Sequence, residues 1–311
     1  MRVAVFGSGA VGGYFGGRLA QSGASVAFVA RGAQLEAIRR DGLRVESSAG
    51  DFQIRPAEVT DDPRAVGVVD VVLLGVKAWQ VPEAGWALLP MLGPGSAVLT
   101  LQNGVEAAAE LAPIVGPARV LEGLCKLLSN VEAPGRIRHA GATPRIEFGE
   151  RDGRRSERVE ALRAAFESAV GVSVGVPDDI GAAVWEKFLF IAPFGGVGAV
   201  SRLPAGAWRA IPETRALLEA AMREVEALAR ARGVRVREDA VARTLAFVDG
   251  LPAEATASMQ RDLLEGRPSE LEQQNGAVVR LAGAAGLPVP ANAFLYASLV
   301  PAERRARGHA R

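Results

Sequence analysis

RVAVFGSGAVGGYFGGRLAQS, residues 2–22, is the stretch on which the reading of the fold turns. Residues 2–6 are a short apolar run of the kind buried in a parallel sheet. A G-x-G-x-x-G pattern follows at once and opens a helical run that reaches about Ser22. In that strand–turn–helix setting each glycine has a use. Gly7 permits a tight turn, Gly9 lets the backbone approach a pyrophosphate, and Gly12 lets helix and strand pack closely. The free N–H groups at the helix start offer partial positive charge to phosphate. Gly7, Ser8, Gly9, Ala10, Val11 and Gly12 are therefore the candidate dinucleotide-binding residues.

Working outward, the pattern repeats. Strands are predicted over 25–29, 69–75 and 97–101, with helices near 31–41, 78–89 and 104–115. Such alternation gives a parallel sheet with helices on both faces. After about residue 120 the pattern changes. Segments 136–140 and 144–149 read as an antiparallel pair turned at Gly141-Ala142-Thr143-Pro144, followed by a helix near 155–169 and a short strand near 172–176. Pro177-Asp178-Asp179 is a proline stop with two candidate N-cap aspartates. Helices are predicted beyond it over 180–200, 212–232, 237–249, 252–265, 270–285 and 291–306. The expected fold is α/β: a Rossmann-type doubly wound parallel sheet over 1–178, then an all-helical domain over 179–311. The arginine-rich tail from Arg304 to Arg311 reads as frayed and solvated.

Composition narrows the function classes. The chain has 311 residues, enough for two domains with their own cores, and it is 49% hydrophobic and 23% charged, a globular balance. A formal net charge of +1 supplies no broad field for nucleic acid or an anionic membrane. Cys125 is the sole cysteine, so no intramolecular disulfide forms; with no signal-peptide pattern at the start, the cytoplasm is the expected compartment. Cys125 itself reads as a small buried hydrophobe. His139 and His309 are too few for a metal site and are expected to be solvated.

The second strand ends Val29-Ala30-Arg31. An NAD site places a carboxylate there to bond the ribose 2′-hydroxyl. A guanidinium suits a 2′-phosphate instead, by charge and by bidentate geometry. Arg31 therefore points to NADP. The chain also writes arginine almost everywhere a cation is needed; only Lys77, Lys126 and Lys187 are lysines. A compact ammonium that can give up a proton is what arginine cannot replace.

The ordered set of motifs resembles the ketopantoate reductase family, within the 6-phosphogluconate-dehydrogenase-like group. It comprises GSGAVGGYFG at 7–16, Arg31, VKAWQ at 76–80, QNG at 102–104, PGRIRHAG at 134–141, WEKF at 185–188, SMQRDLLEGRPSE at 258–270 and GLPVPANAFLY at 286–296. The resemblance implies NADPH-dependent reduction of a 2-oxo acid to a 2-hydroxy acid, 2-dehydropantoate to pantoate in pantothenate synthesis, in a cleft between two domains. It implies that Lys77 lies beside the cofactor, that Asn103 touches nicotinamide and substrate, and that Lys187 is the proton donor. It further implies that Ser258 binds substrate and that Glu270 completes the catalytic site and contacts the cofactor. The expected partner is a small 2-oxo acid, with a homodimer the candidate assembly.

The chain departs from this family in one place. The lysine is followed there at i+4 and i+8 by asparagines that hold the substrate hydroxyl. Here those positions are Ile191 and Gly195, a third asparagine is replaced by Ala205, and Pro193 interrupts the helix. The expectation is a more apolar pocket that takes 2-oxo acids without a hydroxyl about as well. Lys126, after the strand-like stretch 118–122, is the candidate replacement contact, to a substrate carboxylate. The rival readings are a paralogous reductase of a more apolar 2-oxo acid, an imine or opine-type dehydrogenase, and a non-catalytic NADPH sensor.

Overall fold

A tight turn and a close helix–strand approach set the N-terminal architecture. Gly7 adopts φ +97° and Gly12 sits where a Cβ would lie 2.2 Å from the Gly7 carbonyl oxygen. Any larger residue at 12 would push the helix Ala10–Gln21 off strand β1 (Arg2–Phe6). The computed structural model describes residues 1–308. Further strands are β2 (Ser25–Val29), β3 (Leu43–Ser47), β4 (Phe52–Ile54), β5 (Glu58–Thr60), β6 (Val69–Leu74) and β7 (Leu92–Thr100). They continue as β8 (Val120–Lys126), β9 (Ser129–Ala133), β10 (Arg136–His139), β11 (Arg145–Glu150) and β12 (Ser173–Gly175).

The main sheet has the order β12-β11-β8-β7-β6-β1-β2-β5. It is parallel from β5 through β8, with β11 antiparallel to β8 and β12 parallel to β11. The chain adds β2 on one side of β1 and β6 on the other, so the strand order reverses at β1, where ligands bind in doubly wound sheets. Both faces are covered: Tyr14, Phe15 and Leu19 pack on Val3, Val5 and Phe28, and Val81, Ala84, Leu111 and Val115 pack against Ala4, Val72 and Val98. This is the expected Rossmann-type unit. It comprises Met1–Gln102 and Glu106–Ile180.

A second sheet, β4-β3-β10-β9, was not foreseen. The predicted pairing of 136–140 with 144–149 is wrong: β10 pairs with β3 and β9, whereas β11 pairs with β8 and β12. Strand β10 alternates buried Ile137 and His139 with exposed Arg136 and Arg138. A turn-like GATP stretch suggested pairing with the segment after it, but one edge of β10 pairs with a strand about ninety residues earlier, and Ile137 packs on the helix Ala10–Gln21 at Gly13.

His139 is the second correction. It is 3% exposed rather than solvated. Its Nε2 donates to the Ala142 carbonyl (3.1 Å), so Nδ1 accepts from the Ser47 hydroxyl (2.8 Å). Burial pushes its pKa below the ordinary histidine value, opposed by the Ala142 bond and aided by the Arg18 guanidinium. The unfolded chain then takes up the proton first. Stability is present above the unfolded pKa of about 6.5 and declines as pH falls below it. Thermal denaturation between pH 7.5 and 5 is expected to show this decline, and His139→Gln to flatten it. An unchanged slope in the variant would assign the decline to other groups.

The second unit comprises Asn103–Val105 and the chain from Gly181 onward. It is built of the helices Ile180–Ser201, Ala205–Trp208, Pro212–Ala231, Ala240–Asp249, Ser258–Leu264, Asn275–Ala284 and Pro290–Ala306. The first is long and apolar enough in composition to cross a membrane, but Trp185, Phe188, Leu189, Phe194 and Val197 form the core of this unit. That helix runs on through Pro193. Two boundaries differ from expectation. Residues 252–257 form a turn rather than the start of a helix, and 270–274 are a separate turn before the helix at Asn275. Helix continues to Ala306 as predicted, but the start of the tail is held rather than frayed: Arg307 donates to Glu303 and to the Ser269 carbonyl. His309 and the end of the tail lie outside the described residues.

Candidate active site

The carboxyl ends of neighbouring parallel strands carry most of the candidates in the first unit. Read across the sheet, β8 ends at Lys126, β6 leads to Lys77, β1 to the loop 7–12, and β2 to Arg31. Between β8 and β6 the chain leaves β7 toward Gln102, whose side-chain amide donates to the Leu74 and Val76 carbonyls (2.8 and 3.0 Å). This fixes the strand ends relative to one another.

The loop suits a dinucleotide. Gly9 has nothing within 4 Å of where a Cβ would stand, so the backbone is open there to close approach. The helix after it has no side-chain cap and no acidic residue in its first turn. Its N–H groups are left for an anion. Ser8 is 3% exposed and its hydroxyl donates to the Val29 carbonyl (3.1 Å), so its side chain braces β2. The Gln34 amide donates to the Ser8 carbonyl (2.7 Å) and accepts from Gly135 N–H (2.9 Å), a brace that the sequence reading missed. Arg31 opens the helix Gly32–Asp41 and is exposed; its guanidinium lies 3.5 Å from the equally exposed Glu83 carboxylate. An ion pair so exposed is weak, and a phosphate can compete for the guanidinium. The Lys77 ammonium lies 5.7 Å from the Trp79 ring centre. Lys126 is exposed, its backbone opposite Arg145, and Cys125 beside it is buried as expected.

In the second unit three candidates meet. The Lys187 ammonium donates to Asn103 Oδ1 (2.9 Å), and Asn103 Nδ2 donates to Glu270 Oε2 (3.2 Å). The asparagine amide thus links a cation to a buried carboxylate, and each end receives the partner its polarity requires. Lys187 comes from the core helix, where Trp185 and Phe188 beside it are buried, and it is itself half-buried. Glu270 is 4% exposed. The turn that carries it is held from below: Ser269 N–H and hydroxyl donate to Glu303 Oε2 (3.0 and 2.6 Å), and Leu271 N–H donates to the Ser269 hydroxyl (3.2 Å). Glu303 is 1% exposed and is paired with Arg307 (2.5 Å). These supports were not singled out from the sequence.

Two turns of helix beyond Lys187, Gly195 is flanked by Ala257, Met259 and Gln274. Ser258 lies between the first two, so its segment packs on Gly195. The pocket expected to be apolar here has a buried amide beside it. Ala205 is fully buried and its N–H donates to the Ala255 carbonyl (2.9 Å).

The chain matches known proteins along most of its length. Residues 3–153 match the family model described as ketopantoate reductase PanE/ApbA, and residues 179–303 match its C-terminal counterpart. A 2-dehydropantoate 2-reductase of Halobacterium salinarum is 35% identical, with 93% of this chain and 95% of that protein covered. That of Mesorhizobium japonicum is 32% identical over 93% and 94%. The crystal structure of 2-dehydropantoate 2-reductase from Geobacter metallireducens superposes with a TM-score of 0.91 at 34% identity, covering 97% of this chain and 100% of that one. The chain is a member of the ketopantoate reductase family, an oxidoreductase that uses a nicotinamide dinucleotide.

Proposed function

We propose that this protein reduces 2-dehydropantoate to pantoate with NADPH, residues 1–178 holding the cofactor and 179–311 the catalytic groups. The observation that carries the reading is the hydrogen-bonded row Lys187–Asn103–Glu270. When bound at Gly7–Gly12, Arg31 and Lys77, the cofactor supplies a hydride to the substrate's 2-oxo carbon. Lys187 stabilises the negative charge that develops on the carbonyl oxygen and donates its proton there, giving the hydroxyl. Solvent then restores the lysine proton. Asn103 orients the ammonium, contacting nicotinamide and substrate; Glu270 fixes Asn103 and contacts the cofactor. Ser258 and Lys126 bind the substrate, the latter through its carboxylate.

The test is an NADPH-oxidation screen over a panel of 2-oxo acids that includes ketopantoate, and a ketone-plus-amine mixture. The highest kcat/KM is expected with ketopantoate. Turnover only with the amine mixture would replace the reading with an imine reductase. In the same assay Arg31→Ala is expected to raise KM for NADPH roughly 10- to 100-fold, the value of charge-assisted bonds to phosphate, and to leave that for NADH nearly unchanged. Equal losses for both cofactors would show that Arg31 is not the discriminator.

A further inference from the structure

We infer that Gln274 recognises the substrate hydroxyl, taking over at Gly195 the task of the missing asparagine; this rests on the reduction proposed above. Gln274 is 0% exposed, yet neither its Nε2 nor its Oε1 has a hydrogen-bond partner among the described residues. A buried amide with both ends unmet is strongly disfavoured unless something else meets them. Other amides packed on the same helix are better served. Gln260, against Gly198, donates to the Leu203 carbonyl (2.9 Å) and accepts from Ala257 N–H (3.4 Å). Asn275, against Gly196, donates to Asn292 (3.1 Å) and lacks a partner only at Oδ1.

The location of Gln274 is specific. Its backbone N–H donates to the Glu270 carbonyl (2.9 Å), closing a single turn. Glu270 and Gln274 therefore stand at the two ends of one hydrogen-bonded turn. Glu270 is bonded to Asn103, and Asn103 to Lys187, so Gln274 closes the same turn that carries Glu270 into the row. At Gly195 a Cβ would lie 3.4 Å from Gln274 Oε1 and 3.0 Å from the Met259 methyl. The absent side chain leaves its room to the glutamine, with a flexible thioether as the other neighbour.

The ligand class follows from the unmet pair. An amide offers one donor end and one acceptor end, whichever way it is turned. A hydroxyl likewise donates and accepts, so it meets both. A carboxylate accepts only and would leave Oε1 facing negative charge. The terminal hydroxyl of ketopantoate fits; 2-oxoisovalerate, which lacks the hydroxymethyl group, leaves the amide unmet.

The test compares kcat/KM for these two acids in wild type and in Gln274→Met, together with the thermal midpoint of each protein. Wild type is expected to prefer ketopantoate by more than about a thousandfold, as sites built to bond a hydroxyl do. Gln274→Met is expected to cut that ratio roughly a hundredfold. Its midpoint should hold or rise, because an unmet amide has been replaced by an apolar chain of similar size. A lower midpoint with an unchanged ratio would make Gln274 a core amide satisfied by buried water, and would overturn the inference while the reductase reading stands. A wild type that turns over neither acid would overturn both. If Gln274→Met fails to fold, Gln274→Glu decides. It keeps shape and acceptors but loses the donor, and an unaltered substrate ratio in it would equally overturn the assignment.

Discussion

Lys187→Ala is expected to lower kcat by about 10²–10⁴-fold while NADPH still binds, the usual loss when a general acid is removed. The argument is chemical and geometric together. Hydride arrival leaves charge on the carbonyl oxygen, and an ammonium aimed by a fixed hydrogen bond can neutralise it without reorganising. The bond to Asn103 Oδ1 at 2.9 Å supplies that aim, and Glu270 fixes the asparagine in turn. Fluorescence titration with NADPH would verify that the cofactor site survives. A variant retaining more than about a tenth of wild-type kcat would remove Lys187 from the role. Lys187→Arg is expected to rescue poorly, since the charge stays but the transferable proton does not.

Gly12→Ala is expected to weaken both NADPH and NADH by about a hundredfold or more, in parallel, because misplacing a binding element by an ångström costs on that order. A Cβ at residue 12 would lie 2.2 Å from the Gly7 carbonyl oxygen and 2.9 Å from the Val5 side chain. The first of these is backbone and cannot rotate away, so the loop or the helix start has to move. The parallel loss separates this variant from Arg31→Ala, where only the phosphorylated cofactor should suffer. Isothermal titration with each cofactor checks it. Normal affinity for either would mean that the loop adapts without cost.

The parts of this fold written in local pattern were legible from the chain alone. Strand β1, the glycine turn and the following helix are contiguous, and so are β2, β6 and the long helices. Strands β3, β4 and β5 are three to five residues long; β4 pairs with its neighbour β3, and only the structure joins β3 to β10 and β5 to β2. Strand β10 shows the difficulty: it was read as a strand, but its pairing with β3 depends on a fold-level contact that no window of sequence contains. The site divides the same way. Lys187, Asn103 and Glu270 were found through motif order, whereas Gln274 was not, because a glutamine before a helix is ordinary until its surroundings are known. His139 was misjudged for that reason too: a single histidine gives no sign of burial.

The excursion Asn103–Val105 into the helical unit has a genealogical consequence. A gene segment encoding residues from 181 onward inherits Lys187 and Glu270 but not the amide that joins them. A segment encoding 1–102 inherits none of the three. Recombination at the linker near 180 would split the Lys187–Asn103–Glu270 row whichever half it carried away. Neither half, expressed by itself, would carry the whole row.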